Sequence, residues 1–281
     1  MGSLERRPET VGVTEVSALT AGQGPPVVLL HGIPTGAALW QRVLVRLAAA
    51  GYQGLAPDLP GYGRTRTHRS ADHSLAGAAR LVADWLAERD ATPAWLVGHD
   101  SGGAVAQIMA VRHPGSVGRL TLTNSIADGW WPAPRARLAK AVSRIGGYRA
   151  ATRLGLVPNA LMRWQILRAF ADAEAAEGID AVLWDAKCRD PAGRAAFERH
   201  LVALTARDTA DVAAGLSELT VPCQLVWGAE DPFQRWRGPG RRLEELLPSP
   251  AVAMLTNCGH FTPWECPEGL VDAMLSWAEA A

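Results

Sequence analysis

The chain has no net charge, since 28 basic side chains balance 28 acidic ones among its 281 residues. A neutral chain exerts no long-range attraction on nucleic acid or on an anionic membrane surface. It also has no long apolar run: stretches such as residues 27–30 are far shorter than the ~20 residues that cross a membrane, and no apolar segment follows its charged start. We therefore expect a cytoplasmic protein that acts on a small-molecule substrate and has neither nucleic acid nor a membrane as a partner.

Cysteine is scarce as well. The four cysteines form no C-x-x-C pair and no His/Cys cluster at zinc spacing; they are Cys188, Cys223, Cys258 and Cys266. Gly22 and Gly24 precede a strand pattern rather than a helix, which excludes a dinucleotide-binding fingerprint. The sequence therefore predicts no metal, no cofactor and no disulfide framework.

What the chain does contain is an alternation of short strand-like and helical stretches. Apolar, β-rich runs end near positions 30, 56, 97, 123 and 227, and residues 251–255 are also strand-like. Helical periodicity fills residues 39–50, 75–88, 102–113 and 241–247. Continuous apolar strands joined by helices are typical of a mostly parallel sheet covered on both faces. We predict one large α/β domain with a central sheet flanked by helices.

The alternation stops between about residues 127 and 216, where Ala, Arg and Trp are frequent and no strand is legible. We predict a core of residues 1–127 and 217–281 and an inserted helical lid of residues 128–216. An insertion that leaves the carboxyl end of a parallel strand covers the edge where such sheets bind ligands. The lid supplies the candidate substrate contacts, which are Trp130, Trp131, Tyr148, Trp164, Trp184 and His200.

The segment Gly-His-Asp-Ser-Gly-Gly at 98–103 has the pattern of a nucleophile elbow, a sharp turn between a strand and a helix. With Asp100 at its centre, the crowded positions two before, two after and three after are all glycine. With Ser101 at its centre, His99 would occupy a position that tolerates only a small residue. We therefore predict Asp100 as the nucleophile, and Ser101 stays as the alternative.

A carboxylate nucleophile selects a type of electrophile. Attack on an sp3 carbon with a leaving group gives an alkyl ester that water can cleave, whereas attack on an ester carbonyl gives an unstable anhydride. The expected substrate is therefore an epoxide or an alkyl halide. Because Asp100 precedes a predicted helix, we expect the positive end of the helix dipole to lower the pKa of Asp100.

Three further motifs complete a candidate site. His260 lies in a loop before the terminal helix, where a neutral imidazole is a suitable base to activate water. Asp231 follows a strand and is the candidate partner of His260, ranked above the adjacent Glu230. The backbone N–H groups of Ile33 and Ser101 are the candidate oxyanion hole.

The elbow GHDSGG, the loop HGIPTGAALW and the segments APDLPGYGRT, WGAEDPF and NCGHFTPWECPE resemble the α/β-hydrolase superfamily in order and spacing. The resemblance covers nearly the whole chain outside the lid. Asp100, Asp231 and His260 follow the nucleophile, acid and histidine order of that superfamily. Within it, the sequence looks most like the branch with an Asp nucleophile, which contains haloalkane dehalogenases, epoxide hydrolases and fluoroacetate dehalogenases.

The departures from these families rank the activities that the resemblance implies. Haloalkane dehalogenases usually bind the halide with Trp after the nucleophile and often with Asn after His-Gly, where this chain has Ser101 and Ile33. Fluoroacetate dehalogenases usually have Arg after the nucleophile. Epoxide hydrolases use two lid phenols, or a phenol and a histidine, and Tyr148 and His200 are the candidates here. The resemblance implies an epoxide hydrolase first and a haloalkane dehalogenase-like enzyme second.

Two other hypotheses stay open at this stage. One is an esterase or lactonase that uses Ser101 as its nucleophile. The other is a biosynthetic protein of the same fold with a cyclising or binding role and no hydrolysis.

Overall fold

The computed structural model describes residues 3–130, 134–153, 164, 166–183 and 191–280. Its strands are β1 (Glu5–Val11), β2 (Thr14–Ala21), β3 (Pro26–Leu30), β4 (Gln53–Pro57), β5 (Ala94–His99), β6 (Val117–Thr123), β7 (Cys223–Gly228) and β8 (Ala251–Leu255). They form one sheet in the order β1-β2-β4-β3-β5-β6-β7-β8. The pairs β1/β2 and β2/β4 are antiparallel and the other neighbours are parallel. The predicted mostly parallel sheet is confirmed.

The hairpin of β1 and β2 is the part of the sheet that the sequence analysis did not predict. The strand β1 lies at the edge of the sheet, and most of its residues are exposed or half-buried. Such a strand contains no continuous apolar run, which was the signal used for the buried parallel strands. A turn at Gly12, whose φ is +55°, joins the two strands.

Helices lie between and after the parallel strands. Their bounds are α1 (Gln41–Ala49), α2 (Leu75–Glu88), α3 (Ser101–Arg112), α4 (Pro134–Arg144), α5 (Gly147–Arg153), α6 (Ile179–Leu183), α7 (Pro191–Ala203), α8 (Arg207–Leu216), α9 (Arg241–Leu246), α10 (Thr262–Glu265) and α11 (Pro267–Ala280). The helices predicted in the core agree with α1, α2, α3 and α9 to within two residues at each end. None of the described helices is long and apolar enough to cross a membrane.

The sheet has an apolar layer on each face. One layer joins side chains of α2, α3, α8 and α9, and the other joins side chains of α1 and α11. In β5, Leu96 belongs to the first layer, whereas its neighbours Trp95 and Val97 belong to the second. Side chains alternate along a strand, so both layers fix the register of β5, and this rigid strand leads directly into the elbow.

The described part of residues 128–216 contains α4 to α8 and no strand. Lid and core are joined there by several contacts. The helix α8 packs on α3, where Gly215 allows the close approach of Val111. The Nδ1 atom of His200 in α7 lies 2.9 Å from the carbonyl oxygen of His73 in the core. The limits of the lid at 128 and 216 stay a prediction.

Candidate active site

The candidate site lies at the carboxyl edge of the parallel strands. Asp100 follows β5, Asn124 follows β6 and Asp231 comes three residues after β7, while Ile33 lies in the loop after β3. The carboxyl ends of parallel strands meet at one edge of the sheet, which is where open α/β sheets bind ligands. Topology thus brings together residues that are up to 198 positions apart, from Ile33 to Asp231.

Asp100 stands at the apex of the turn between β5 and α3. Its φ of 50° and ψ of −120° are unfavourable for a residue with a Cβ atom. A Cβ atom on Gly98 would lie 2.5 Å from the Cα of Gly103, and one on Gly102 would collide with the carbonyl of Leu30. The glycines therefore permit the close approach of strand and helix. Ser101 is the first, buried residue of α3 and not the apex.

The two carboxylate oxygens of Asp100 have different partners. Oδ2 accepts a hydrogen bond from the backbone N–H of Ile33 over 3.2 Å, and the N–H of Ser101 also donates to the carboxylate. Oδ1 accepts a hydrogen bond from Nε2 of Gln234 over 3.1 Å. The two amides that were predicted to form the oxyanion hole thus both face the Asp100 carboxylate.

The expected lowering of the Asp100 pKa is wrong. Burial raises the pKa of Asp100, and the positive charge of His260 and the hydrogen bonds from Ser101, Gln234 and Ile33 offset only part of the rise. The carboxylate loses most of its hydration because it is buried, and the helix dipole replaces only part of that hydration. A weakly stabilised carboxylate is a better nucleophile than a strongly solvated one.

Asp231 and His260 form a buried pair next to the elbow. Nδ1 of His260 donates to Oδ2 of Asp231 over 2.8 Å. Asp231 accepts three further hydrogen bonds, from Nδ2 of Asn124 at 2.7 Å and from the backbone N–H groups of Phe233 at 2.6 Å and Gln234 at 3.0 Å. Burial opposes ionisation of Asp231, but the charge of His260 and these donors together lower the pKa of Asp231.

The pKa of the His260 imidazole is raised, whereas that of its partner Asp231 is lowered. Burial favours its neutral form, but the Asp231 carboxylate, through its charge and its hydrogen bond, and then the Asp100 carboxylate raise the pKa of His260 overall. With Nδ1 bonded to Asp231, Nε2 is the atom left for proton transfer. Glu230 has a separate task, because it accepts the backbone N–H groups of Asn257 and Cys258 and so shapes the loop that carries His260.

His99 supports the same loop from the elbow. Its Nε2 lies 2.8 Å from the carbonyl oxygen of His260, and the two rings are 4.7 Å apart between centroids. Burial and the nearby His260 lower the pKa of His99 to about 3, so His99 stays neutral at physiological pH. A neutral ring that faces a carbonyl must carry its proton on Nε2, so His99 donates this hydrogen bond.

His200 is a buried residue of α7, but it has the wrong tautomer for the predicted role of a donor to substrate. Its Nδ1 must carry a proton, because its partner is the carbonyl of His73. Burial lowers the pKa of His200 to about 4, so Nε2 carries no proton near neutral pH. His200 is therefore an acceptor at Nε2 and does not donate to an opening epoxide.

The predicted aromatic contacts have mixed positions. Tyr148 is half-buried and its ring lies 5.2 Å from that of Phe197 in α7. Trp130 and Trp164 are each 54% exposed, so in this conformation they do not line a buried pocket. Trp131 and Trp184 lie outside the described residues.

Sequence analysis missed Tyr62, which is buried between core and lid. Its ring lies 5.0 Å from the rings of both His31 and His200 and 5.4 Å from that of Phe197. Burial first, and then the charge of Asp100, raise the pKa of Tyr62 well above its ordinary value. Its signal in the sequence was its place in the loop after β4, which ends at the ligand-binding edge.

Gln234 and Asn124 were also missed. Each touches a carboxylate of the site through its side-chain nitrogen, Gln234 at Asp100 and Asn124 at Asp231. Asn124 directly follows β6, so the rule that ligand sites lie at the carboxyl ends of strands would have found it. Among the residues that the structure describes, no group of three His, Cys, Asp or Glu side chains is arranged to hold a metal ion.

Comparison with known proteins now fixes the family. The profile of the alpha/beta hydrolase fold family matches residues 25–267, which include the elbow, Asp231 and His260. The chain belongs to the α/β-hydrolase superfamily. It is a hydrolase of this superfamily, and its sheet, flanking helices and insertion after β6 are those of the fold.

Three relatives of this α/β hydrolase have different activities. A haloalkane dehalogenase of Mycobacterium marinum is 37% identical over 115 residues, which are 41% of this chain but only 37% of that protein. A pimeloyl-[acyl-carrier protein] methyl ester esterase of Chromobacterium violaceum is 31% identical over 247 residues, which are 86% of this chain and 89% of that one. The solved structure of the epoxide hydrolase CorEH without ligand is 23% identical, with a TM-score of 0.80, and the match covers 99% of this chain and 100% of that one. The last likeness concerns the fold alone.

Proposed function

We propose that this α/β hydrolase opens a small hydrophobic epoxide through a covalent ester on Asp100. The observation that carries the proposal is the carboxylate at the apex of the elbow, with one oxygen on the Ile33 amide and the His260–Asp231 pair beside it. A carboxylate in this position attacks an sp3 carbon and not an acyl group.

In the first step, an oxygen of Asp100 attacks one carbon of the epoxide. The new bond joins that oxygen to carbon, the carbon–oxygen bond of the ring breaks, and its electron pair moves to the ring oxygen. This oxygen needs a proton, which the neutral phenol of Tyr62 or Tyr148 supplies. The raised pKa of Tyr62 keeps its phenol protonated, and the phenol gives up its proton because the opened ring oxygen becomes a strongly basic alkoxide.

In the second step, Nε2 of His260 takes a proton from a water molecule, which attacks the carbonyl carbon of the Asp100 ester. The amides of Ile33 and Ser101 stabilise the oxyanion that forms, and Asp231 stabilises the imidazolium. The ester breaks, the diol leaves with a proton, and Asp100 returns to a carboxylate. The proton left over restores the phenol of the first step, so the cycle consumes one epoxide and one water.

A halide leaving group is the second candidate. The identity of 37% to the M. marinum haloalkane dehalogenase favours it, and the alignment covers 115 residues. The choice of an epoxide rests on the side chains around Asp100. Ser101 and Ile33 stand where haloalkane dehalogenases usually have halide-binding Trp and Asn, whereas Tyr62 and Tyr148 provide two phenols between core and lid.

An esterase mechanism with a serine nucleophile is a further alternative, because the similarity to the esterase of C. violaceum extends over 86% of this chain. A phosphonate that labels reactive serines distinguishes this alternative. We expect no label at Ser101, which is buried beside the apex.

A non-hydrolytic role would instead be indicated if Asp100→Ala kept full function. A cytoplasmic location and a small-molecule substrate stay predictions from the sequence.

The decisive experiment stops the reaction between its two steps. The variant His260→Gln is incubated with styrene oxide and with a panel of other epoxides and alkyl halides, and the peptide that contains Asp100 is weighed. We expect a stable mass gain equal to one epoxide on Asp100, and none in the double variant Asp100→Ala with His260→Gln. A gain on Ser101, or no gain with any member of the panel, contradicts the proposal.

A further inference from the structure

Gln234 holds a fixed position between the two carboxylates of the site. Its backbone N–H donates to Oδ1 of Asp231 over 3.0 Å, and its carbonyl accepts Nε1–H of Trp227 over 2.6 Å. The residue is 8% exposed. With the main chain held at both ends, the side-chain amide extends to Asp100, where Nε2 lies 3.1 Å from Oδ1.

The partners of the two carboxylate oxygens identify which oxygen of Asp100 attacks. The Ile33 amide holds Oδ2, and the oxyanion that forms in the second step needs the same donor, so Oδ1 is the oxygen that faces the substrate. An ionised carboxylate only accepts hydrogen bonds, so the nitrogen of Gln234 and not its oxygen must face Oδ1. In the free enzyme, Gln234 therefore donates to the attacking oxygen itself.

A hydrogen bond to Oδ1 stabilises the electron pair that must attack, so the amide has to give up part of this bond when substrate arrives. A reacting carbon comes within about 3–3.5 Å of the nucleophile. The leaving atom then stands beyond that carbon, in line with Oδ1, and the amide beside Oδ1 has two N–H donors. To assist departure, one of these donors must turn from Oδ1 to the leaving atom.

We propose that Gln234 is a catalytic residue whose side-chain amide moves from Oδ1 of Asp100 to the ring oxygen of the epoxide as that oxygen becomes negatively charged. This inference rests on the proposed function. The amide lowers the barrier because it binds the oxygen more tightly in the transition state than in the substrate. It loses no proton, so the proton of the product alcohol still comes from the phenol of Tyr62 or Tyr148.

The test measures the first step alone, in the His260→Gln background that traps the ester. We compare single-turnover alkylation of Asp100 with and without Gln234→Leu, using styrene oxide and phenethyl bromide, which share a carbon skeleton. Loss of an oxyanion donor typically costs about 10²- to 10³-fold, and we expect that loss with styrene oxide. Bromide is a weak acceptor, so its loss should be less than tenfold. The matched control is Gln53→Leu, at the opposite end of β4 from the site.

A second variant needs only the epoxide and tests the donor directly. Gln234→Glu has nearly the same shape, but it donates only when its carboxyl group is protonated. Its alkylation rate should therefore rise as the pH falls, until the pair with Asp100 holds one proton, whereas the parent rate falls. Thermal unfolding of both variants checks that they are folded.

The outcomes separate this inference from the proposed function. A loss with Gln234→Leu that is equal for epoxide and bromide, or a Gln234→Glu pH profile that follows the parent, means that Gln234 only positions Asp100 and overturns the inference while the covalent mechanism stands. Absence of any mass gain on Asp100 in the His260→Gln parent overturns the proposed function and this inference together.

Discussion

Two buried aspartates follow parallel strands in this α/β hydrolase, and their surroundings shift the pKa values of the two carboxyl groups in opposite directions. Asp231 accepts four hydrogen bonds of 2.6 to 3.0 Å, two from side chains and two from the backbone. The side-chain bond to Asp100 and its bond to the Ile33 amide are longer, at 3.1 and 3.2 Å. The pKa of Asp231 is lowered by its partners despite burial, whereas burial raises the pKa of Asp100.

The contrast assigns the two carboxylates different tasks. Short bonds from many donors make Asp231 a fixed charge that orients and stabilises His260. Asp100 accepts three bonds, and those from Ile33 and Gln234 are longer, so its burial leaves a poorly solvated anion whose electron pair is available. In the proposed mechanism, the same residue type at the same edge of the same sheet serves once as an anchor and once as a nucleophile, and its neighbours decide which.

The largest expected effect comes from removal of the nucleophile. Asp100→Ala should abolish both the alkylation and the overall reaction, with a loss of roughly 10⁴-fold or more, as is usual when a covalent nucleophile is deleted. Product formation from styrene oxide measures the loss. The control is Asp84→Ala on the exposed face of α2, which should keep the parent rate. Residual activity above one tenth of the parent would remove Asp100 from the mechanism.

Substitution of Asp231, the anchor of His260, should affect mainly the second step, the hydrolysis of the ester. In Asp231→Asn, the His260 tautomer and its positive charge lose their support, which we expect to slow ester hydrolysis by about 10³- to 10⁴-fold. Alkylation of Asp100 should fall by less than tenfold, so the ester accumulates without the His260→Gln substitution. Intact-protein mass spectrometry during turnover detects it. Equal losses in both steps would contradict the division of tasks between the two aspartates.

The pH dependence of the two steps should differ in its cause. Alkylation needs ionised Asp100, so its rate falls as the pH drops through a pKa that burial has raised from the ordinary aspartate value. Ester hydrolysis needs neutral His260, so its rate falls by about tenfold per pH unit below the pKa of His260. The Asp231 carboxylate raises that pKa, whereas the contribution of Asp100 is absent because the ester carries no charge. In Asp231→Asn, the pH at which hydrolysis slows should move to lower values, because His260 loses the charge that raises its pKa. The pH at which alkylation slows should hardly change. Stopped-flow and quench measurements give the pH–rate profile of each step separately.

How much of this could be predicted from the sequence depends on whether the physical cause is local. The glycines at 98, 102 and 103 are a local requirement of one sharp turn, so their spacing alone placed Asp100 at its centre. The parallel strands were visible because both of their faces are buried, which makes their residues continuously apolar. The polar edge strand β1 has no such pattern, and it was missed.

The parts that were not predictable depend on contacts between distant segments. The pKa of Asp100 depends on how completely other loops bury it, and the tautomer of His200 depends on a carbonyl 127 residues away, at His73. Gln234 is an ordinary loop residue in the sequence until the fold brings it, from 134 residues away, to Asp100. Spacing identifies which residue types are present, but burial and partners determine their chemistry.

The smallest effect tests the residue that connects the two aspartates. His99 directly precedes Asp100 and donates to the carbonyl of His260, so it joins the elbow to the anchored side of the site. His99→Phe keeps an aromatic ring but leaves that carbonyl without its donor, which should lower the free energy of unfolding by about 1–3 kcal/mol. Ester hydrolysis should slow by less than tenfold, because Asp231 still holds Nδ1 of His260, and alkylation should hardly change. Denaturant unfolding and single-turnover rates measure both effects, and His113→Phe at the end of α3 is the control. A loss in alkylation as large as that in hydrolysis would mean that His99 acts on Asp100 instead, and the two aspartates would then be less independent than their hydrogen bonds indicate.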